Sequence, residues 1–132
     1  MPTEISALAR EHLERVRVFY DAAPVEPLWG ARCYRALLAH YYNLLIPPDA
    51  SVLEVGCGSG DLLVRIRAGR KTGVDLSAPQ IEAARQRVPD AEFFVQAGEL
   101  IDLGRQFDVI VISDTLNLAA DVQHLLEQLH QV

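Results

Sequence analysis

Three glycines that alternate with small residues follow a short apolar run, and no other segment of the sequence indicates binding chemistry as directly. The run Val52–Val55 leads into Gly56, Gly58 and Gly60. Glycine adopts positive φ angles without strain and leaves no Cβ between the backbone and a ligand. Apolar residues at helical spacing then predict a helix over residues 61–69, whose first backbone N–H groups would point at the same ligand. We therefore predict a strand, a ligand-binding glycine loop and a helix, in this order.

An acidic residue at the end of the next predicted strand adds a second part to this pattern. Asp75 lies fifteen residues after Gly60, and a carboxylate in this place can accept hydrogen bonds from both hydroxyls of a ribose. The spacing Gly-x-Gly-x-Gly differs from the Gly-x-Gly-x-x-Gly fingerprint of dinucleotide sites. Asp61 follows the loop at once, and its charge would repel a pyrophosphate but not a ligand that bears an ammonium and a sulfonium. An NAD-dependent oxidoreductase is therefore the weaker alternative.

Helices are predicted before this region. Apolar residues at intervals of three to four, including Leu8 and Phe19, predict a first helix that Thr3 or Ser6 caps. After two prolines, a second helix is predicted whose apolar stripe comprises Trp29, Cys33, Leu37, Tyr41 and Leu44. We expect residues 1–48 to form a helical segment on the lid or substrate side of a core that residues 49–132 form.

Strands and helices alternate in the predicted core. The strands are Val52–Val55, Thr72–Leu76, Glu92–Val95 and Phe107–Ser113, and helices begin after Ser77 and near Val122. Such alternation predicts a parallel sheet, and strands that are apolar on successive residues are buried on both faces. The fold class is therefore α/β, with a doubly wound, mostly parallel sheet and helices on both faces. Residues 98–106 form either a loop or a short helix.

Charge and composition exclude several classes of protein. The chain of 132 residues has 12 basic and 18 acidic residues, a net charge of −6, so binding of nucleic acid by bulk electrostatics is not expected. Two cysteines form no disulfide framework, and the four histidines are too scattered for a metal site. No signal peptide or membrane span is predicted. We expect a cytoplasmic protein that contacts neither nucleic acid nor membrane and binds no metal.

Three motifs together resemble the class I S-adenosylmethionine-dependent methyltransferases. They are Glu54–Gly60, Gly73–Ala84 and Phe107–Asp114, and the resemblance covers roughly residues 51–132. It implies S-adenosylmethionine as the cofactor and a sheet in the order 3-2-1-4. The implied cofactor-binding residues are Glu54, Gly56, Cys57, Gly58, Gly60, Asp75, Leu76, Gly98, Glu99, Leu100, Ser113 and Tyr20.

The resemblance also assigns parts to these residues. The glycine loop would approach the methionine part of the cofactor, Asp75 would bind the ribose, and Leu76 would pack on the adenine. Ala97 stands where the family often has aspartate. Contacts to the adenine amine would therefore come from the backbone of residues 98–100. Tyr20 would cover the cofactor, as an N-terminal aromatic residue does in similar enzymes.

Candidates for acid–base catalysis follow the fourth strand. Asp114 and Asn117 are the predicted catalytic residues, needed only if the methyl acceptor must lose a proton. The Asn/Asp-Pro-Pro-Tyr signature of enzymes that methylate amino groups on nucleic acid or protein is absent, since Ser113 begins the sequence Ser-Asp-Thr-Leu here. We therefore favour a small-molecule acceptor. A non-catalytic cofactor-binding fragment or partner module is the alternative.

Comparison with the family indicates a missing part. Such domains usually have three more strands after the helix that here ends near Val132. The fourth strand, with the apolar run Val109–Ile112, would then be an exposed edge, and exposed apolar edges promote association. We expect either that the chain is a fragment of a longer enzyme, or that a second copy or another chain covers this edge.

Overall fold

A computed structural model describes residues 4–132 and contains one four-stranded sheet. All strand pairs are parallel and their order is β3-β2-β1-β4, so the predicted topology is confirmed. The strands are β1 (Ser51–Val55), β2 (Arg70–Asp75), β3 (Glu92–Val95) and β4 (Val109–Ile112).

The register of the sheet brings the carboxyl ends of its two inner strands and β4 together. Val55, the last residue of β1, pairs with Val74 of β2 and with Ile112 of β4. Residues that follow these three strands therefore lie at one edge of the sheet. This is the edge at which open α/β sheets bind ligands.

Helices cover both faces of the sheet, as predicted. Helix α3 (Ala78–Arg87) contributes Ile81 and Ala84 to a core on one face, and the other face packs on Leu125 and Leu129 of a C-terminal helix. The hydroxyl of Ser77 accepts a hydrogen bond from the Gln80 N–H and caps α3. The predicted cap at Ser77 is thus present.

Two helices precede the sheet, α1 (Ala7–Ala22) and α2 (Trp29–Leu45), and the C-terminal helix is therefore α4 (Val122–Leu129). The cap of α1 is Ser6, which accepts a hydrogen bond from the Ala9 N–H, while Thr3 lies outside the described residues. The apolar stripe predicted for α2 does not face the core. Trp29 is 81% exposed, because α2 turns the face that carries Ala39 inward. In α1, Leu13 is buried, while Phe19 of the predicted apolar spacing is 68% exposed.

The helix predicted after the glycine loop is also wrong. Only a single 3-10 turn forms, over Leu63–Arg65, and Ile66 is already extended. Residues 61–69 must run back along the whole of β1, and five strand residues span about 17 Å. Nine residues in an α-helix rise only about 14 Å. The chain therefore takes a more extended path, in which Leu62, Leu63 and Ile66 are buried without a full helix.

No helix among residues 4–132 is both long and apolar enough to cross a membrane. Within the same residues, His, Cys, Asp and Glu side chains form no group of three or more that could hold a metal ion.

Candidate functional site

A cavity of about 430 Å³ lies at the carboxyl ends of β1, β2 and β4. The sheet side of its wall consists of the glycine loop and the segments that follow β2, β3 and β4. Helices α1 and α2 and the connection between them form the opposite wall. This volume is in the range of sites for small molecules and cofactors.

The glycine loop folds back on β2 through its backbone. The N–H groups of Gly56 and Cys57 both donate to the Val74 carbonyl, at 2.8 and 3.1 Å. Gly56 has a φ of +74°, and a Cβ on it would lie 2.1 Å from the Thr115 hydroxyl, so this position excludes any side chain. Gly58 also has a positive φ of +53°, but nothing lies nearer than 3.9 Å to where its Cβ would be. The absence of a side chain at Gly58 therefore keeps space in the cavity open.

Asp75 is held in the cavity wall by the glycine loop. The Gly58 N–H donates to Oδ2 at 2.8 Å, and the Ser77 N–H donates to Oδ1 at 2.9 Å. Burial raises the pKa of the Asp75 carboxyl, and these backbone hydrogen bonds oppose the rise. Each oxygen keeps a second lone pair. The carboxylate can thus accept two further hydrogen bonds, as ribose hydroxyls would require.

Glu54 is a buried carboxyl group in the wall of the cavity. Its side chain extends from β1 into the cavity wall and is only 3% exposed, and Oε2 has no hydrogen-bond partner. Burial raises the pKa of Glu54 to about 8, with smaller contributions from the charges of Asp75 and Asp61, while Arg35 acts in the opposite direction. A buried carboxylate without a partner is costly. The ligand-free carboxyl therefore favours its protonated form, and a positively charged ligand group would supply the partner that the ionised form lacks.

The charged side chains in the cavity wall are mostly acidic. Among the described residues that line it, the acidic ones are Glu26, Glu54, Asp61, Asp75, Glu99 and Asp114, and the single lysine or arginine is Arg35. Such a site attracts cations and repels phosphates. The glycine loop also lacks the following helix whose N-terminus holds a pyrophosphate in dinucleotide sites.

The segment after β4 closes one side of the cavity. Asp114 has a φ of +56°, a left-handed conformation that aspartate tolerates better than most residues. The Thr115 hydroxyl lies 3.2 Å from the carbonyl oxygens of Val55 and Ser113, which fastens this turn to the end of β1. The turn therefore presents Asp114 at the cavity.

A few hydrogen bonds and an ion pair hold the end of α1, and the connection from α1 to α2, against the rest of the fold. The Gln80 amide donates to carbonyl oxygens of Tyr20, Ala23 and Pro24 at 3.4 to 3.5 Å. Arg87 of α3 binds the Ser59 hydroxyl at 2.7 Å and Glu26 at 2.9 Å. The connection between α1 and α2 is thus positioned over the glycine loop.

Most of the residues predicted for the site line the cavity. They are Tyr20, Glu54, Gly56, Cys57, Gly58, Asp75, Leu76, Gly98, Glu99, Ser113 and Asp114. Gly60, Leu100 and Asn117 are not in its wall. A Cβ on Gly60 would meet Val88 at 3.2 Å, so this glycine serves packing, and the side chains of Leu100 and Asn117 are exposed.

Arg35 and Gln80 line the cavity but were not predicted. Arg35 belongs to no recognisable motif. The only indication in the sequence is that the segment of α2 contains arginines but no acidic residue that could pair with them. An arginine without an acidic neighbour on its own helix can pair with acids elsewhere in the fold.

Comparison with known proteins agrees with this geometry. A family model described as a methyltransferase domain matches residues 53–132. The chain is 40% identical over 86 residues to the ribosomal protein L11 methyltransferase of Methylobacillus flagellatus, covering 57% of this chain and 28% of that protein.

Solved structures share the fold. Magnesium protoporphyrin IX methyltransferase from Synechocystis, with bound SAM, superposes with a TM-score of 0.75 at 14% identity, covering 98% of this chain and 74% of that one. The plantazolicin methyltransferase BpumL in complex with SAH is 27% identical with a TM-score of 0.60, covering 93% of this chain and 51% of that one.

The family match covers more than half of the chain, so the chain belongs to the methyltransferase domain family. Its fold is that of the class I S-adenosylmethionine-dependent methyltransferases, and the family predicted from the motifs is confirmed. The chain spans only 28% of the Methylobacillus relative and about half of BpumL.

Proposed function

We propose that this chain binds S-adenosylmethionine in the cavity and transfers its methyl group to a small-molecule acceptor. The observation that carries the proposal is the pairing of an open glycine loop with two carboxyl groups at the carboxyl ends of β1 and β2, the buried Glu54 and the half-buried Asp75. These are the groups that a cationic nucleoside needs. The bound SAM and SAH of the structural relatives support the same ligand class.

The chemistry asked of the protein is modest. When bound, the cofactor supplies a methyl group on a sulfonium, from which a neutral thioether leaves. The chain's own residues bind and orient: Asp75 would fix the ribose, and the glycine loop and Glu54 would receive the amino-acid end. Positioning of two reactants can lower a barrier by roughly 7–11 kcal/mol in favourable cases. Asp114 would accept a proton if the acceptor has one to lose, and Asn117 stays a predicted catalytic residue outside the cavity wall.

The helical segment of residues 1–48 is proposed as the lid of the site. In its described part, Leu13, Val16 and Tyr20 of α1 line the cavity opposite the sheet. These side chains would exclude water from the reacting atoms. Their apolar character, and the lack of an Asn/Asp-Pro-Pro-Tyr motif after β4, favour a small organic acceptor. A cytoplasmic location is part of the proposal and rests on the sequence.

Calorimetric titration of the full chain tests the binding proposal. S-adenosylmethionine and S-adenosylhomocysteine should both bind, and NAD should not, because its pyrophosphate would meet the acidic wall. Binding of NAD in preference to both nucleosides would refute the proposal and favour an oxidoreductase.

Methyl transfer needs its own assay. Isotope-labelled S-adenosylmethionine is incubated with the chain and a cell extract, and label is followed into fractions of low and high molecular mass. We expect enzyme-dependent label in the low-mass fraction, and label in protein would contradict the small-molecule acceptor. Binding without any transfer would favour the alternative of a non-catalytic cofactor-binding fragment, for which the partial coverage of longer relatives is the specific observation.

A further inference from the structure

The apolar stripe that the sequence predicts for α2 faces solvent. Six large apolar side chains of this helix are between 47% and 81% exposed. They are Trp29, Tyr34, Leu37, Tyr41, Leu44 and Leu45. Intervals of three, four and eight residues place them on one side of the helix, while Leu38, Ala39 and Tyr42 on the other side pack on the core. We call the exposed side the outer face of α2.

The outer face is larger and less charged than the surface of a typical monomer. Six side chains of this size expose on the order of 800 Å², whereas the largest apolar patch on a typical monomer is about 300–600 Å². Helix α2 has no acidic residue, and helical spacing puts Arg32 and Arg35 to the side of this face. An area of about 800 Å² is also what each partner contributes to a stable protein–protein interface.

Residue size changes along the middle of the outer face. Gly30 and Cys33 come before Leu37, and Tyr41 and Leu44 come after it. A Cβ on Gly30 would meet nothing within 4 Å, so the fold of a single chain does not require a glycine there, and glycine is a poor helix former. The open space at Gly30 can therefore receive a side chain from outside the chain.

Two outer faces are complementary when the two helices run in opposite directions. An antiparallel pair centred on Leu37 brings Gly30 of each copy opposite Leu44 of the other, and Cys33 opposite Tyr41. Large side chains then fill the space beside small ones, and the same contacts repeat about a two-fold axis. Parallel helices would instead place large residues against large ones. We propose that the outer face of α2 is the interface of a symmetric dimer of this chain.

A lipid surface is the competing occupant of an exposed apolar helix face. Helices that lie on membranes are rich in lysine and arginine beside their apolar face. Helix α2 has two arginines and no lysine, and the chain as a whole has a net charge of −6. A second copy of the chain is therefore the favoured occupant. The dimer does not depend on the proposed function, and its interface is separate from the edge of β4.

Sedimentation equilibrium of the chain at several concentrations tests the dimer. Leu37→Glu places two like charges opposite each other at the axis, so the dissociation constant should rise roughly a hundredfold or more. Leu37→Lys should do the same alone, but an equimolar mixture of the two variants should recover dimers, which also shows that both are folded. Leu126→Glu is the matched control, because Leu126 is 47% exposed on α4, which packs on the other face of the sheet. It should change the dissociation constant by less than about threefold.

A second variant distinguishes specific packing from general stickiness. Gly30→Leu makes the outer face more apolar, yet it should weaken the dimer at least tenfold, because the new side chain would meet Leu44 of the second copy. Adding Leu44→Ala to it should restore most of the affinity.

Several results would overturn the interface. They are a monomeric wild-type chain, equal association of wild type and Leu37→Glu, as the edge of β4 alone would give, no recovery in the mixture, or stronger association of Gly30→Leu. A wild-type chain that is monomeric in solution but sediments with phosphatidylcholine vesicles would overturn it too, and would assign the outer face to lipid.

Discussion

Replacing Glu54 with glutamine should stabilise the ligand-free protein, although the residue lies in the proposed binding site. Its carboxyl has a pKa of about 8 in the folded protein, against an ordinary value of 4.5. The folded state therefore favours the protonated form, and the unfolded chain gains by ionising once the pH passes 4.5. Stability attributable to Glu54 is thus highest below pH 4.5, falls as the pH rises, and levels off above pH 8.

The size of the effect follows from the same two pKa values. Each unit of difference corresponds to about 1.4 kcal/mol, so the full cost above pH 8 is about 5 kcal/mol, and at pH 7 it is about 3 kcal/mol. Glutamine resembles the neutral acid in shape and never ionises. Glu54→Gln should therefore unfold at a urea concentration roughly 1–3 M higher at pH 7, given usual slopes for small domains.

Urea unfolding of wild type and variant at pH 5 and pH 8 is the assay. The difference in the free energy of unfolding should be small at pH 5 and several kcal/mol at pH 8. Glu82→Gln is the control, because that carboxylate is on α3 and 63% exposed, and its replacement should change stability by less than about 0.5 kcal/mol at either pH. A Glu54→Gln variant that is less stable than wild type at pH 8, or equally stabilised at both pH values, would show that the carboxyl is not destabilised by burial.

Three other predictions concern the glycine loop, Asp75 and the edge of the sheet. Gly58→Val should abolish nucleoside binding in a titration, because the new side chain would occupy open space in the cavity. Gly60→Ala should mainly lower the free energy of unfolding, by roughly 1–3 kcal/mol, since its Cβ would lie only 3.2 Å from the Val88 side chain. Asp75→Ala should weaken S-adenosylhomocysteine binding by roughly 1–3 kcal/mol and Asp75→Asn by less, and an unchanged affinity in the alanine variant would remove Asp75 from the site. The uncovered edge of Val109–Ile112 should make the isolated chain self-associate, so light scattering after size exclusion should give a mass above that of one chain, and a stable monomer would contradict this.

The strands and their order could be predicted because each strand carries its own local signal. β3 was predicted with the exact bounds Glu92–Val95, and the burial of β1 follows from its continuous apolar run. The glycine loop and Asp75 were likewise visible, since loop residues and the ends of neighbouring parallel strands meet whatever the rest of the fold does.

The packing of α1 and α2 could not be predicted in the same detail, because the sequence of a helix with two apolar faces does not determine which face is buried. In α2 the stripe through Trp29 and Tyr41 is as apolar as the one through Leu38 and Tyr42, yet only the second packs on the core. Arg35 lies next to this buried face. Its place in the cavity thus depends on how α2 docks, which no local pattern determines.

The electrostatics of the cavity connect the stability of the fold with the binding of a ligand. Without a ligand, Glu54 and Asp61 each keep a buried oxygen without a hydrogen-bond partner, and such atoms lower the stability of the fold. A ligand that supplies hydrogen-bond donors and positive charge removes this cost, and anything that binds only the folded state stabilises it further. An apolar replacement at these positions would give a more stable protein and a poorer site. The unsatisfied carboxyl oxygens are therefore best explained as groups whose partner is the ligand, since no described donor lies within hydrogen-bond distance of Glu54 Oε2 or Asp61 Oδ2.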